Sequence, residues 1–189
     1  MSRTRTRNRI PRWTTSATVA LLLVSGVQGP LALAQQDEGA TQGRSFLEAD
    51  RLIRLSMDIP VEPELVFDAW TNAPQLVEWF PHWAEITVTE GGEYRMGWDG
   101  IDAVWAGTYL EVDRPNVLVF TWNPPADFFP GGAYETTVRL AFEQVEGVTH
   151  MVLEHSGFRG TAEMESTLET WRAYLYNLRA LLLQQAPSG

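Results

Sequence analysis

The sequence contains no cysteine and no lysine; all 14 of its basic residues are arginine. Without cysteine there are no disulfides, no thiolate metal sites and no cysteine nucleophile. Histidine is scarce, with only His82, His150 and His155. None has a second histidine or a carboxylate at metal-ligand spacing, and H-E-x-x-H is absent, so no metal is expected. Positive charge is also short: 14 Arg face 24 acids, a formal net charge of −10. That balance excludes a surface that tracks nucleic-acid phosphates. The serine-hydrolase pattern G-x-S-x-G does not occur. Gly91-Gly92, Gly97 and Gly131-Gly132 fit no phosphate-binding loop, so no nucleotide cofactor is expected.

What the chain has in quantity is aromatic and apolar surface. Hydrophobic residues are 44%, charged residues 20%, and there are eight Trp in 189 residues. This is the composition of one globular domain, neither disordered nor fibrous.

The first 34 residues are composed differently. Arg3, Arg5, Arg7, Arg9 and Arg12 precede an 11-residue apolar run, Ala17 to Val27, then Gly29-Pro30 and the small-residue site Ala32-Leu33-Ala34. A cationic start, a short apolar stretch and an A-x-A exit are the signature of a secretory signal peptide. A spanning helix needs about 20 apolar residues, and this run falls short. Residues 1–34 are therefore expected to be cleaved near Ala34, and the protein to be exported to the periplasm or the extracellular space. Neither a lipoprotein cysteine nor an Arg-Arg pair follows or precedes the run. Removing 34 residues, five Arg and no acid among them, would leave 155 residues with nine Arg against 24 acids, a net charge of −15. Such a chain should repel nucleic acid and anionic headgroups, and it has no means of stable membrane insertion after cleavage.

Residues 35–49 are polar and read as a flexible leader, residues 50–185 as the domain, and residues 186–189 as a tail. Within the domain, Arg51 to Ile59 alternates and predicts a strand. Pro63–Thr71 and Ala73–Phe80 carry apolar residues at helical spacing, each opening on proline, and predict two short helices. From Glu85 the period switches to two. Strands are predicted over 85–89, 93–99, 103–112, 117–122, 135–142 and 149–156. VLVFTW at 117–122 is apolar on both faces and should be central. Residues 123–134 hold three Pro and two Gly and form a loop, with Phe128 and Phe129 at its centre. In the last predicted element, residues 163–185, Met164, Leu168, Trp171, Leu175, Leu178 and Leu182 recur every three or four residues: one stripe along a long helix. A large antiparallel sheet must bury its apolar face, and only this helix is long enough to cover it.

Several phrases on these elements carry a resemblance. They are VFDAWT at Val66–Thr71, LVEWFPHW at Leu76–Trp83, GGEYRM at Gly91–Met96, GTYLEV at Gly107–Val112, VLVFTW at Val117–Trp122, ETTVRLAFE at Glu135–Glu143 and LEHSGF at Leu153–Phe158. Together they resemble the activator-of-heat-shock-ATPase-like family, within the START and birch-pollen-allergen (SRPBCC) superfamily. The resemblance implies an α+β helix-grip fold: a curved antiparallel sheet of about seven strands around a long C-terminal helix, with two short helices after the first strand. It also implies a cavity between sheet and helix. Relatives in that superfamily bind lipids, sterols, hormones or polyketides, some cyclise or dehydrate polyketides, and others activate a cytosolic chaperone ATPase. A signal peptide argues against the chaperone partner, which would lie across a membrane.

For site chemistry, the candidate ligand wall is Trp98, Trp122, Phe128, Phe129, His155 and Phe158, suited to a small apolar or aromatic molecule. His155 shares a strand face with Met151 and Leu153. Burial there should hold its pKa down and leave a neutral ring able to make one hydrogen bond to a ligand. Ser156 points to the opposite face and cannot form a dyad with it. Glu93, Asp99, Asp102 and Glu154 offer no evident catalytic pair; Asp99 and Asp102 flank Gly100 in a turn. No catalytic set emerges, so the expected function is ligand binding. The alternatives are a cyclase- or dehydratase-like enzyme using His155 as acid or base, and a protein-interaction module.

Overall fold

The structure, a computed structural model, describes residues 51–128, 132 and 134–185, without the side chain of Asp127. The leader sequences, Phe129 and the tail lie outside the described residues. The elements run β1 (Leu52–Ile59), α1 (Pro63–Thr71), α2 (Ala73–Leu76), β2 (Trp83–Ile86), β3 (Glu93–Gly97), β4 (Trp105–Asp113), β5 (Val117–Trp122), a 3-10 turn (Ala126–Phe128), β6 (Thr136–Val145), β7 (Val148–Ser156) and α3 (Thr161–Gln185). The seven strands form one antiparallel sheet in the order β1-β7-β6-β5-β4-β3-β2. This is the α+β helix-grip architecture.

The alternation seen in the sequence becomes the two faces of this sheet. Ile53 and Ile59 of β1, Val138, Leu140 and Phe142 of β6, and Met151, Leu153 and His155 of β7 are buried, while Arg54, Asp58 and Arg139 face solvent. The doubly apolar β5 takes the fourth of seven places, with Phe120, Thr121 and Trp122 all buried. On α3, Trp171, Leu175, Leu178 and Leu182 are buried against the sheet, whereas Met164 and Leu168 pack only partly against the core.

Most elements shift at one or both ends by one to four residues from the periodicity, and two of the differences, after the first helix, are described by the local hydrogen bonds. The second helix stops at Leu76 instead of Phe80. Its next residues form tight turns, with Glu78 N–H bonded to Gln75 O, and Pro81, which disfavours helical backbone at Phe80, bars any continuation. The second strand lies at Trp83–Ile86, two residues earlier than expected. Beyond Ile86 the chain turns: Thr89 N–H bonds Thr87 O, and Gly91 N–H and Gly92 O pair with Tyr109 of β4.

Two glycines are needed for close approach. A Cβ on Gly107 would lie 2.3 Å from Thr121 O and 2.6 Å from the Tyr94 ring. The gap lets the Tyr94 hydroxyl donate to Thr121 O at 2.7 Å inside the core. A Cβ on Gly97 would lie 2.6 Å from Trp83 Nε1, so this glycine accepts the indole lying across it.

The helix-to-sheet contact can be checked by two substitutions on one helix. Leu178 is fully buried and Leu183 is 39% exposed. Leu178→Ala should lower stability by about 2–5 kcal/mol, and Leu183→Ala by less than about 1 kcal/mol. Chemical denaturation of the purified variants reads both.

Candidate functional site

The site forms where three sheet segments end together and the first half of α3 crosses them. Trp98 continues the buried Tyr94–Met96 face of β3 past the strand end. Trp105 opens β4 and Trp122 closes β5. The loop after β5 then brings Phe128 back over Trp105. These rings make a continuous series: Phe128 to Trp105 at 4.9 Å, Trp105 to Trp98 at 4.7 Å, and Trp98 to Phe80 at 5.6 Å between centroids. Phe80 then meets Tyr174 at 4.7 Å, Trp171 at 5.4 Å and Trp122 at 5.8 Å. The Trp98 indole is held by donating to Phe80 O at 3.1 Å.

These seven aromatic residues, with Ile101, Ser166, Thr167 and Thr170, enclose a cleft of about 280 Å³. Its sheet side and floor are aromatic. Its helix side carries three small hydroxyls above Trp171 and Tyr174. Ile101 and Phe128 stand at the mouth, 40% and 46% exposed. Among the described residues no charged side chain lines the cleft; their one ionisable group there is the Tyr174 hydroxyl, whose pKa burial raises. A deeper void of about 10 Å³, walled by Trp70, Tyr94, Tyr109 and Phe120 among others, is no larger than a water.

The cleft brings together three of the expected wall residues, Trp98, Trp122 and Phe128. It does not include His155 or Phe158. His155 is fully buried behind the Trp122–Trp171 wall, and Phe158 packs on its ring at 4.5 Å. Trp171 Nε1–H donates to His155 Nδ1 at 3.0 Å. On the other side, His155 Nε2 lies 2.7 Å from Thr136 Oγ1. That hydroxyl donates its own hydrogen to Trp122 O at 2.8 Å, so it must accept from Nε2–H. The imidazole is therefore neutral, with both nitrogens occupied. Burial lowers its pKa to about 3. The ring has no free nitrogen for a ligand and no route to the cleft, which removes it both as a ligand contact and as an acid or base there. Ser156 is exposed on the other face of β7, as strand alternation requires.

The periodicity did not single out Phe80, Trp105 or Tyr174, and it took Trp171 as core only. A signal for the helix side was present: Thr167, Thr170 and Tyr174 repeat at steps of three and four, a second stripe beside the leucines. Among the described residues no cluster of three or more His, Asp or Glu could hold a metal. No described helix is long and apolar enough to cross a membrane.

The buried imidazole makes stability depend on pH. An unfolded histidine titrates near 6.5, whereas the folded one stays neutral down to about pH 3. In that window the unfolded chain binds the extra proton. The contribution is complete above pH 6.5 and is lost progressively as pH falls through the window toward 3. Between pH 7.5 and 4.5, His155→Gln should lose roughly 2.5–3 kcal/mol less stability than the unsubstituted protein, as read by urea unfolding at the two pH values. Equal losses would mean that the histidine is solvated and protonates freely.

Comparison with known proteins places this geometry in a family. Residues 60–183 match the family described as Activator of Hsp90 ATPase homolog 1-like protein. Comparison with curated proteins finds no match. Among solved structures, protein MLL2253 from Mesorhizobium loti is 22% identical with a TM-score of 0.65, the alignment covering 72% of this chain and 99% of that one. The Aha1 dimer from Colwellia psychrerythraea is 19% identical, TM-score 0.58, over 69% of this chain and 95% of that one. The HSP90 activator PFC0360w from Plasmodium falciparum is 21% identical, TM-score 0.56, over 69% and 95%. At these identities the likeness is one of fold.

Proposed function

We propose that this chain, which belongs to the Activator of Hsp90 ATPase homolog 1-like family, is a binding protein that holds a small apolar or aromatic molecule in the cleft between its sheet and α3. The observation that carries the reading is the cleft itself: about 280 Å³ walled, among the described residues, by seven aromatic rings and no charged side chain. Ligand sites are concave and mostly apolar, with a few placed polar groups. Here Ser166, Thr167 and Thr170 supply those groups along one edge. The volume is at the lower end of ordinary ligand pockets, about 300–1,000 Å³, which suits a molecule of one or two rings better than a sterol or a long acyl chain.

Family membership is compatible with ligand binding and with chaperone-related roles; the open aromatic cleft favours the first. The cyclase-like alternative loses its proposed acid or base, because His155 is sealed behind the wall. Tyr174 is the remaining titratable group at the cleft among the described residues; a phenol is neutral near pH 7, and burial pushes its pKa further up.

Filling the cleft tests the reading. Naphthalene titrated into the protein should quench or shift the tryptophan emission with saturation. Thr167→Trp, which adds bulk from the half-exposed helix side, should abolish saturable binding and leave the unfolding midpoint nearly unchanged. Unaltered binding by a folded Thr167→Trp variant would place the ligand elsewhere.

Export is part of the same proposal. The cationic start, apolar run and Ala32-Leu33-Ala34 support cleavage before Gln35. Intact-mass analysis of protein recovered from outside the cytoplasm should give a chain beginning at Gln35. A chain retaining Met1 and confined to the cytoplasm would refute it.

A further inference from the structure

We infer that the cleft selects small hydrophobic cations, an arylalkyl ammonium being the model case, over neutral and anionic molecules of the same shape. This rests on the ligand-binding reading above and specifies the charge of the occupant.

Two independent features point the same way. The first is the wall. Trp98, Trp105, Trp122, Trp171 and Tyr174 all line the cleft, with Phe80 and Phe128 completing it. Indole and phenol rings carry negative potential on their faces and attract a cation that lies within about 6 Å, most strongly where water is excluded. Neighbouring rings meet at steep angles, 78° for Trp98 against Trp105 and 77° for Phe80 against Tyr174. Several faces and edges therefore surround the space, rather than one flat stack that would suit only a planar neutral ring.

The second feature is the charge around the mouth. The segments that supply most of the wall, residues 98–105 and 163–174, contain Asp99, Asp102, Glu163, Glu165 and Glu169 against one base, Arg172. That base is already paired, with Nη1 2.7 Å from Glu169 Oε1. Asp99 adjoins the lining residue Trp98 and Asp102 adjoins the lining residue Ile101, and both are exposed. Glu163 stands one turn before Thr167 on the stripe that lines the cleft, and it accepts a hydrogen bond from the Tyr134 hydroxyl at 2.6 Å. Arg159, just before α3, lies over the Tyr134 ring, 4.5 Å from its centroid. Among the described residues no Arg side chain lines the cleft to receive a carboxylate, sulfonate or phosphate. An anionic amphiphile would bring its charge to an acidic rim with no partner, whereas a cation gains from both rim and wall.

The test compares three probes of nearly one shape on the full chain: benzyltrimethylammonium, its neutral isostere neopentylbenzene, and the anion phenylmethanesulfonate. Tryptophan fluorescence and calorimetry at low and high salt read the affinities. The ammonium should bind at least tenfold tighter than the neutral isostere, the sulfonate weakest, and the ammonium advantage should shrink with salt. Asp99→Asn combined with Asp102→Asn, both exposed positions, should cut ammonium affinity several-fold and leave the neutral probe unchanged. Equal or tighter binding of the neutral probe or the sulfonate would overturn the charge selectivity while leaving the ligand cleft intact. Failure of all three probes, together with naphthalene, would overturn the cleft as a binding site.

Discussion

One buried chain of hydrogen bonds ties the helix to the sheet: Trp171 indole to His155, His155 to Thr136, and Thr136 to the backbone carbonyl of Trp122. Each member comes from a different element, α3, β7, β6 and β5. Apolar stripes can slide along one another at small cost, because burial is non-directional. Directed bonds cannot. A one-residue slip of the helix would leave an imidazole nitrogen and an indole N–H unpaired in the interior, each costing about 1–3 kcal/mol. The chain thus fixes which turn of α3 faces the sheet ends, and with it which residues wall the cleft. Trp171 and Trp122, at its two ends, are themselves cleft residues, so the network that sets register also sets the shape of the site.

Around that chain the core is held by ring packing. Trp70 contacts Trp79, Phe80, Phe120 and Trp171, with centroids 4.7 to 6.4 Å apart. Its Nε1, like Asn123 Oδ1, is buried without a hydrogen-bond partner among the described residues. The loss of one hydrogen bond, about 1–3 kcal/mol, is outweighed by a ring of indole size buried against four others, each aromatic pair contributing about 0.5–1.5 kcal/mol beyond area. Trp79 avoids the same loss by donating to Ala69 O at 3.0 Å. The aromatic residues of α1, of the turn after α2 and of α3 therefore form one body under the sheet, and Phe80 belongs both to that body and to the cleft.

The fold was legible because its signals are periodic. The alternation of β1, β6 and β7, the two-sided apolarity of β5 and the leucine stripe of α3 each have a single satisfactory arrangement, and the structure adopts it. The site was legible only in part. Trp98, Trp122 and Phe128 stood out by being aromatic at strand ends or in a loop, where a core explanation was weak. Trp105 and Tyr174 were hidden inside elements whose pattern already explained them. His155 misled for a definite reason: strand alternation tells which face a residue takes, not what lies above it. Its position between Thr136 and Trp171 depends on β6 pairing and on the rotation of a helix that begins only at Thr161, and neither distance is written in the local pattern.

The uneven seating of α3 has a mechanical consequence. From Trp171 onward the helix is gripped by four fully buried side chains; before it, Met164 and Leu168 are only half covered. The helix is in effect a cantilever, clamped at its C-terminal end and lightly supported at the end that overhangs the cleft. Displacing that overhang would strip little apolar surface and break none of the bonds around His155; the hydrogen bond from the Tyr134 hydroxyl to Glu163 is what tethers its first turn. An arm seated more lightly than the aromatic wall it faces would let the width of the opening give way before its chemistry does, so that occupants of differing girth would still meet the same rings.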